Sequence, residues 1–274
     1  MRRLSVLRRP TFVIGLLVTL LLVVVALLSL AWTPMSPTKM QIVHKLKPPL
    51  AYGLLGTDQF GRDVASMLMV GAWNSLSTSV LAVALGATLG TALGVSVAAL
   101  RGFTETIVMR GCDIVFAVPP ILSAMLLGAF IGSGRFTAII AIAVFMVPVF
   151  ARLTSGAARQ IWARDYVTAA IGMGRNRTKI TLTHILPNIS NQIIVQVTIQ
   201  LGLAILTEAG LSFLGLGMPP PTPTWGRMLA DAQTYLGQAP WLALLPGLAI
   251  ALAVLGLNML GDGLRDLLDP RDQS

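Results

Sequence analysis

The sequence predicts an all-α polytopic membrane protein with six transmembrane helices and both termini in the cytoplasm, and three observations lead there. The first is composition: 55% of the 274 residues are hydrophobic and only 11% are charged, where a soluble domain carries about 25% charged residues. Mean hydropathy is +0.78. The second is a recurrence of apolar stretches close to the roughly 20 residues that a membrane-spanning helix needs. The third is the segregation of basic residues to alternate connecting segments, as the positive-inside rule requires.

Taken in order, the first span runs from Phe12 to Ala31 and holds no ionisable side chain. A basic start before an apolar run is also the plan of a signal peptide, and Arg8-Arg9 is compatible with a twin-arginine signal. The run exceeds the usual signal core of about 7–15 residues, which favours a retained anchor. The second span, Ser75 to Ala99, carries Gly86, Gly90 and Gly94. Spacing by four places them on one helix face, where a second helix can approach closely. That contact is either a moving joint or static packing. The third span runs from Ile114 to Gly132 and the fourth from Phe136 to Phe150. Pro119-Pro120, Pro148 and, in the sixth span, Pro246 each remove a backbone donor and can kink a helix. Freed carbonyls are tolerated where protein or a water-filled cavity surrounds them, so the kinks either line a pathway or bend a packed helix.

The fifth span, Ile193 to Leu214, contains Glu208; Asp113 and Asp262 lie near cytoplasmic ends. An intramembrane carboxylate is a functional candidate by default. The sequence offers no Lys or Arg at matching depth and no acidic chain for a proton relay. Glu208 therefore reads as a hydrogen-bonded interhelical carboxyl ahead of a substrate contact. The sixth span runs from Trp241 to Leu260.

With the N-terminus inside, the cytoplasmic segments hold Arg2, Arg3, Arg8, Arg9, Arg101, Arg110, Arg152, Arg159, Arg164, Arg175, Arg177, Lys179, Arg265 and Arg271. The outer segments hold Lys39, Lys45, Lys47, Arg62, Arg135 and Arg227, so fourteen of the 20 basic residues face the cytoplasm. This topology accounts for most of the +9 net charge and leaves no need for a nucleic-acid partner. Trp32, Trp73, Trp225 and Trp241 fall near the outer boundary, where amphipathic rings collect. Cys112 is the only cysteine, which excludes an intrachain disulfide and a thiolate cluster, and His44 and His184 lack the spacing of metal ligands. No metal site is expected.

The cytoplasmic connection between the fourth and fifth spans, about 151–192, is long for a compact bundle. Asp165 is a good helix N-cap, Tyr166 to Met173 can form a short helix bearing the small Ala169 and Ala170, and Gly174 can supply a left-handed stop. A second short helix is expected from Thr178 to Ile185, before Pro187. The first suits docking into a groove on a partner or lying on lipid headgroups. On the outer side, Gly56, Thr57, Asp58, Gly61, Arg62 and Asp63 form a turn-rich segment, in which the charged residues can pair locally; loop folding is favoured over substrate contact. Met218 to Pro223 cannot continue a helix and either braces a docking surface or caps the outer mouth.

The segment DYVTAAIGMG followed by HILPN resembles the EAA loop of binding-protein-dependent ABC importer permeases. Ala169, Ala170, Gly174, Leu186 and Pro187 fall at the family's spacing. Thr168 stands where Glu is frequent, and His184 where a branched aliphatic is common. Three further segments resemble the dipeptide and oligopeptide subfamily, which also serves nickel chelates, glutathione and opines: LLGTDQFGRD with GAWNSL, LSFLGLGMPPPTPTWGRML, and NMLGDGLRDLLDPR. The GTDxxGRD segment marks the partner-type permease of that subfamily. Four ordered motifs cover nearly the whole chain. The resemblance implies a type I ABC importer permease fold in the bacterial inner membrane. It also implies an anchor helix and periplasmic segment at 1–73, a core transmembrane domain at 74–262 and a cytoplasmic tail at 263–274. A second homologous permease, two ATPase subunits, a periplasmic substrate-binding protein and membrane lipid are the partners it implies. ATP and magnesium would belong to the ATPase subunits, with no cofactor on this chain. GMGRNRTK lacks the glycine before Lys179 that a phosphate-binding loop needs, so ATP hydrolysis is not expected here. An ion-driven transporter would call for internal repeats and midplane ligands, and neither is evident; a non-transporting scaffold would leave the EAA-like loop unexplained.

Overall fold

The computed structural model describes residues 10–100 and 102–268. Arg2, Arg3, Arg8, Arg9, Arg101 and Arg271, counted above as cytoplasmic, lie outside the described residues, as do residues 269–274 of the expected tail. Among the described residues every regular element is helical, apart from an isolated antiparallel bridge between Thr57 and Asp63.

Helix α1 (Pro10–Leu28) packs on α10 (Trp241–Leu268) because glycines strip bulk from both. A Cβ on Gly15 would lie 2.6 Å from the Leu260 nitrogen, and one on Gly256 2.9 Å from Val18 Cγ1. The opposite face of α1, including Leu17, Leu21 and Leu27, is exposed. A helix apolar all round with one covered stripe is built for lipid.

Helix α2 (Val64–Leu100) is 37 residues long, about 55 Å at 1.5 Å per residue. It starts well before the expected Ser75 because Asp63 caps it. Asp63 Oδ2 accepts from Ser66 N at 2.8 Å and from Ser66 Oγ at 2.6 Å, the geometry of an N-cap carboxylate. The expected boundary at 73/74 therefore falls inside a helix, and that at 262/263 falls inside α10. Along α2, Gly86, Gly90 and Gly94 meet α5 (Arg135–Trp162). Added Cβ atoms there would lie 2.3 Å from Met146 Cβ, 2.5 Å from Val147 O and 2.1 Å from Thr154 Oγ1. The three glycines are thus what allows the two backbones to meet. Beside them Ala82, Val83, Ile142, Met146, Phe150 and Leu211 form the central buried cluster.

Among the described residues five helices are long and apolar enough to cross a membrane, and the count reaches six only if a bent pair is one span. The expected third span is that pair. Helix α3 (Phe103–Ala117) and helix α4 (Pro120–Ile131) meet at 86°, with Pro119 extended between them. This is a break and not the gentle bend of a packed helix: Pro120 has no N–H to offer the preceding turn, and the residue before it is pushed out of the helical region. Pro148 and Pro246, in contrast, sit inside helices that run through them.

The connection about 151–192 is also shorter than expected. Helix α5 continues to Trp162, and the next long apolar helical run begins at α7 (Arg177–Ile180). The expected stop before Pro187 does not occur. A π-helical turn over Thr181–Ile185 joins α7 to α8 (Leu186–Phe213), giving one apolar run from Arg177 to Phe213. The wide turn takes up the mismatch, and Pro187 falls in the first turn of α8, where a missing donor costs little. After α8 the chain passes through the proline-rich segment to α9 (Trp225–Ala232), capped by Thr224 Oγ1 accepting from Arg227 N at 3.1 Å. Trp225 is 1% exposed and belongs to the protein interior rather than to an interfacial belt.

Candidate functional site

The residues singled out in the sequence fall into three separate places. The first is the short helix α6 (Asp165–Gly172) between α5 and α7. Asp165 is not its N-cap. Arg164 holds the extended cap conformation and makes no side-chain cap bond, while Asp165 is the first helical residue. Its carboxylate still lies at the positive end of the helix dipole. Val167 and Ala170 are buried at 0% and 3% exposure, in a cluster with Trp162, Ile180, Ile185 and Ile189; Leu186 packs against it. Ala169 faces outward, as do Ile171 and Met173. Tyr166 is half exposed and meets the His184 ring edge-on at 6.1 Å. The helix ends as expected at Gly174, whose φ of +78° is open to glycine at little cost. Gly174 N donates to Ile171 O at 2.9 Å and Arg175 N to Ala170 O at 3.1 Å. This pair of bonds is the Schellman closure. Pro187 is exposed one turn away on α8.

This gives α6 one face clamped to the transmembrane helices and one that is free, small and apolar. A recess of about 540 Å³ beside it is lined by Ile161, Arg164, Asp165, Tyr166 and Asn188. Two residues that hold this region were not singled out in the sequence. Asn176 Oδ1 accepts from Thr178 N at 3.3 Å and starts α7. An Asn at a helix entry is a readable cap signal. Arg177 Nη1 donates to Ala99 O at 2.7 Å, tying α7 to the end of α2; nothing in the local sequence announces that contact. Arg177 also borders an open groove of about 720 Å³ between α2 and α7–α8, lined largely by small and apolar side chains with Thr88, Thr91 and Thr181.

The second place is at the start of α2, the far end of that helix from Arg177. Of the three charged residues of the turn-rich segment Asp58 and Arg62 pair locally, while Asp63 caps α2 instead. Arg62 Nε lies 2.6 Å from Asp58 Oδ2, both side chains being almost fully buried. Asp58 Oδ1 also accepts from the backbone N of Phe60 and Arg62. Gly56 and Gly61 both have positive φ, and Thr57 is fully buried, accepting from Lys47 N at 2.9 Å. Next to Arg62, a recess of about 240 Å³ is bounded by Phe60, Pro221, Pro223, Arg227 and Asp231. Arg227 Nε pairs with Asp231 Oδ1 at 3.1 Å. Burial pushes the Asp231 carboxyl above its ordinary value, against the pull of Arg227.

The third place is inside the bundle. Glu208 is 2% exposed and its Oε1 accepts from Ser212 Oγ at 2.6 Å, a partner on its own helix where the sequence reading expects an interhelical one. Nearby, α2 holds the outer loop: Asn74 Nδ2 donates to Pro223 O at 2.8 Å, Trp225 N to Ser75 Oγ at 3.3 Å and Trp225 Nε1 to Leu68 O at 3.2 Å. Pro119 and Pro120 stand apart at the α3–α4 break. The expectation that Asp113 lacks a basic partner is overturned: Arg152, 39 residues away, pairs with it. The helices α3 and α5 pack side by side and bring the two together.

Residues 86–272 match the family model described as "Binding-protein-dependent transport system inner membrane component". A glutathione transport system permease protein, GsiD, of Pectobacterium atrosepticum is 43% identical over 220 residues, covering 80% of this chain and 73% of that relative. A dipeptide transport system permease protein, DppC, of Alkalihalophilus pseudofirmus is 38% identical over 262 residues, covering 96% and 86%. A chain of the MetNI methionine ABC transporter shares the fold at a TM-score of 0.63 and 18% identity, over 74% of this chain and 96% of that one. The chain belongs to the binding-protein-dependent transport system inner membrane components and is a permease subunit of an ABC importer.

Proposed function

We propose that this chain is one of two permease subunits of an importer for short peptides, of the size of dipeptides or glutathione, with both termini in the cytoplasm. Two ATPase subunits would power it and a periplasmic binding protein would deliver the cargo. The observation that carries the reading is α6. A helix of eight residues is clamped by Val167 and Ala170 and closed by Gly174, and it leaves Ala169, Ile171 and Met173 exposed. A small apolar face fixed rigidly to the membrane helices is suited to seat in a groove on an ATPase and pass its motion to α5 and α8. ATP and magnesium would act in those subunits. On this reading the core domain at 74–262, the anchor and periplasmic segment at 1–73 and the tail at 263–274 keep their functional sense, although two of the borders cross helices. The names of the relatives supply the cargo class.

Purification from native membranes in mild detergent, followed by mass spectrometry, tests the assembly. A second permease and ATPase subunits are expected to co-purify. Uptake of a labelled dipeptide and of glutathione by the reconstituted complex with its binding protein tests the cargo. Isolation of this chain alone, even after crosslinking, would overturn the proposal.

A further inference from the structure

Asp113 on α3 and Arg152 on α5 form an ion pair whose side chains are 48% and 47% exposed. A second pair lies further along the same seam: Glu105 and Arg159 approach to 3.0 Å, with Arg159 58% exposed. The carboxylates are eight residues apart on α3 and the guanidiniums seven apart on α5, so the two pairs are separated by about 10–12 Å. Arg152 also lies over the Phe116 ring at 4.7 Å, and Phe116 meets Phe145 edge-on at 5.4 Å. Around these charges the exposed surface of α3 carries Arg110, Thr104 and Thr106 beside the apolar Ile107 and Ile114.

Stability does not account for these pairs, since ion pairs this exposed contribute little. Arg152 comes two residues after Phe150, where the fourth span is expected to end, and seventeen after Arg135, which begins α5. That is about 25 Å along the helix, toward the cytoplasmic edge of a hydrocarbon layer about 30 Å thick. From there an arginine can reach the headgroups, yet Arg152 turns sideways to Asp113. Arg159, about 36 Å along the helix, lies past the layer.

On the importer reading above, we infer that the α3–α5 seam lines the cytoplasmic exit of the cargo pathway, where Asp113–Arg152 and Glu105–Arg159 serve as successive stations for a zwitterionic cargo. At each station the carboxylate takes the ammonium of a short peptide, and the guanidinium takes its carboxylate. Because each pair already satisfies itself, the cargo replaces contacts instead of adding them. Binding stays weak, as release demands of any conduction site. Two such stations about 10 Å apart form a short ladder from the hydrocarbon edge to the cytoplasm.

The test uses the assembled transporter with Cys112→Ala as background. Gly156 lies between Arg152 and Arg159 on the same face of α5, with nothing within 4 Å of an added Cβ. In inside-out membrane vesicles, Gly156→Cys is exposed to a charged, membrane-impermeant methanethiosulfonate. It is expected to react at least tenfold faster than Leu20→Cys, a control on the exposed face of α1, and dialanine at high concentration should slow the reaction severalfold. In intact cells, the double variant Asp113→Asn/Arg152→Gln should take up dialanine at least fivefold more slowly, chiefly through KM, at an unchanged amount of assembled transporter. Reaction at the rate of the α1 control, or unimpaired uptake by the double variant, would overturn the inference with the importer reading intact. Rapid labelling that dialanine does not slow would overturn the zwitterion stations alone. If the unmodified transporter took up no short peptide while Gly156→Cys still reacted, the cargo reading would fall, taking the stations with it and sparing the seam.

Discussion

Arg62 and Asp58 form a buried ion pair one helical turn apart in sequence but outside any helix: Nε to Oδ2 is 2.6 Å, and neither side chain is more than 6% exposed. Arg62 also stacks on Phe60 at 5.1 Å, and Asp58 accepts two backbone N–H bonds. The pair organises the segment that leads into the Asp63 cap of α2. Removing one partner strands the other charge away from water. Arg62→Ala and Asp58→Ala should each cost about 3–5 kcal/mol. Thermal unfolding of the detergent-solubilised protein would register this as a lowered Tm, and limited proteolysis should cut within 40–63 first.

Gly94 and Gly174 should separate packing from conformation. At Gly94 a Cβ would meet Thr154 Oγ1 and Ala151 O within 2.4 Å. Gly94→Ala should force α2 from α5 at about 1–3 kcal/mol, and Gly94→Leu should prevent stable folding, both read by Tm. At Gly174 nothing lies within 4 Å, so only the positive φ penalises a side chain, by about 1–2 kcal/mol. Gly174→Leu should insert and fold normally yet lose most uptake, because the end of α6 is displaced. Gly174→Asn should retain more, since Asn tolerates the left-handed region. Uptake measured against the quantity of assembled transporter is the check.

Trp225 fastens the outer loop to α2. Trp225→Ala should cost about 3–5 kcal/mol, as aromatic-to-alanine changes in cores do. Trp225→Phe keeps most of the ring and loses the bond from Nε1 to Leu68 O, a loss of about 1 kcal/mol. The two Tm shifts should therefore differ several-fold.

Asp231 carries a pH dependence whose sign is set by burial. Its carboxyl is raised in the folded chain, so the neutral form is the better accommodated one. The stability it contributes is fully present below the ordinary Asp range near 3.9 and is lost as pH rises through the raised folded value. Asp231→Asn should abolish this fall. Tm profiles of the two proteins between about pH 3.5 and about pH 7 should converge at the acid end and diverge toward neutrality, with the variant the more stable.

How much of this was legible in advance differs from element to element. The apolar runs were readable because a lipid-facing helix must be apolar throughout, whatever its neighbours are. Gly86, Gly90 and Gly94 were readable as one face because helical periodicity alone aligns them, and Gly174 because a left-handed stop is a property of a single residue. The Asp58–Arg62 pair was readable for the same reason, its partners being close in the chain. The sequence alone thus determined the class, the family resemblance and the position of the short helix α6.

Tertiary structure decided the rest. Pro119-Pro120 signalled a weak point, but a proline inside a helix can be absorbed, as Pro148 and Pro246 are. Which outcome holds depends on the packing of the flanking helices, and here α3 and α4 both lie against α5 while meeting each other at 86°. Pro187 was misread for the converse reason: a π turn before it let the helix continue. The contacts Asp113–Arg152, Arg177–Ala99 and Trp225–Ser75 join residues 39, 78 and 150 positions apart. No local propensity encodes them. They exist because the glycine face of α2 lets α5 close in and because α8 and the outer loop fold back on the same helix, and only a packed bundle settles which distant side chains come within hydrogen-bond reach.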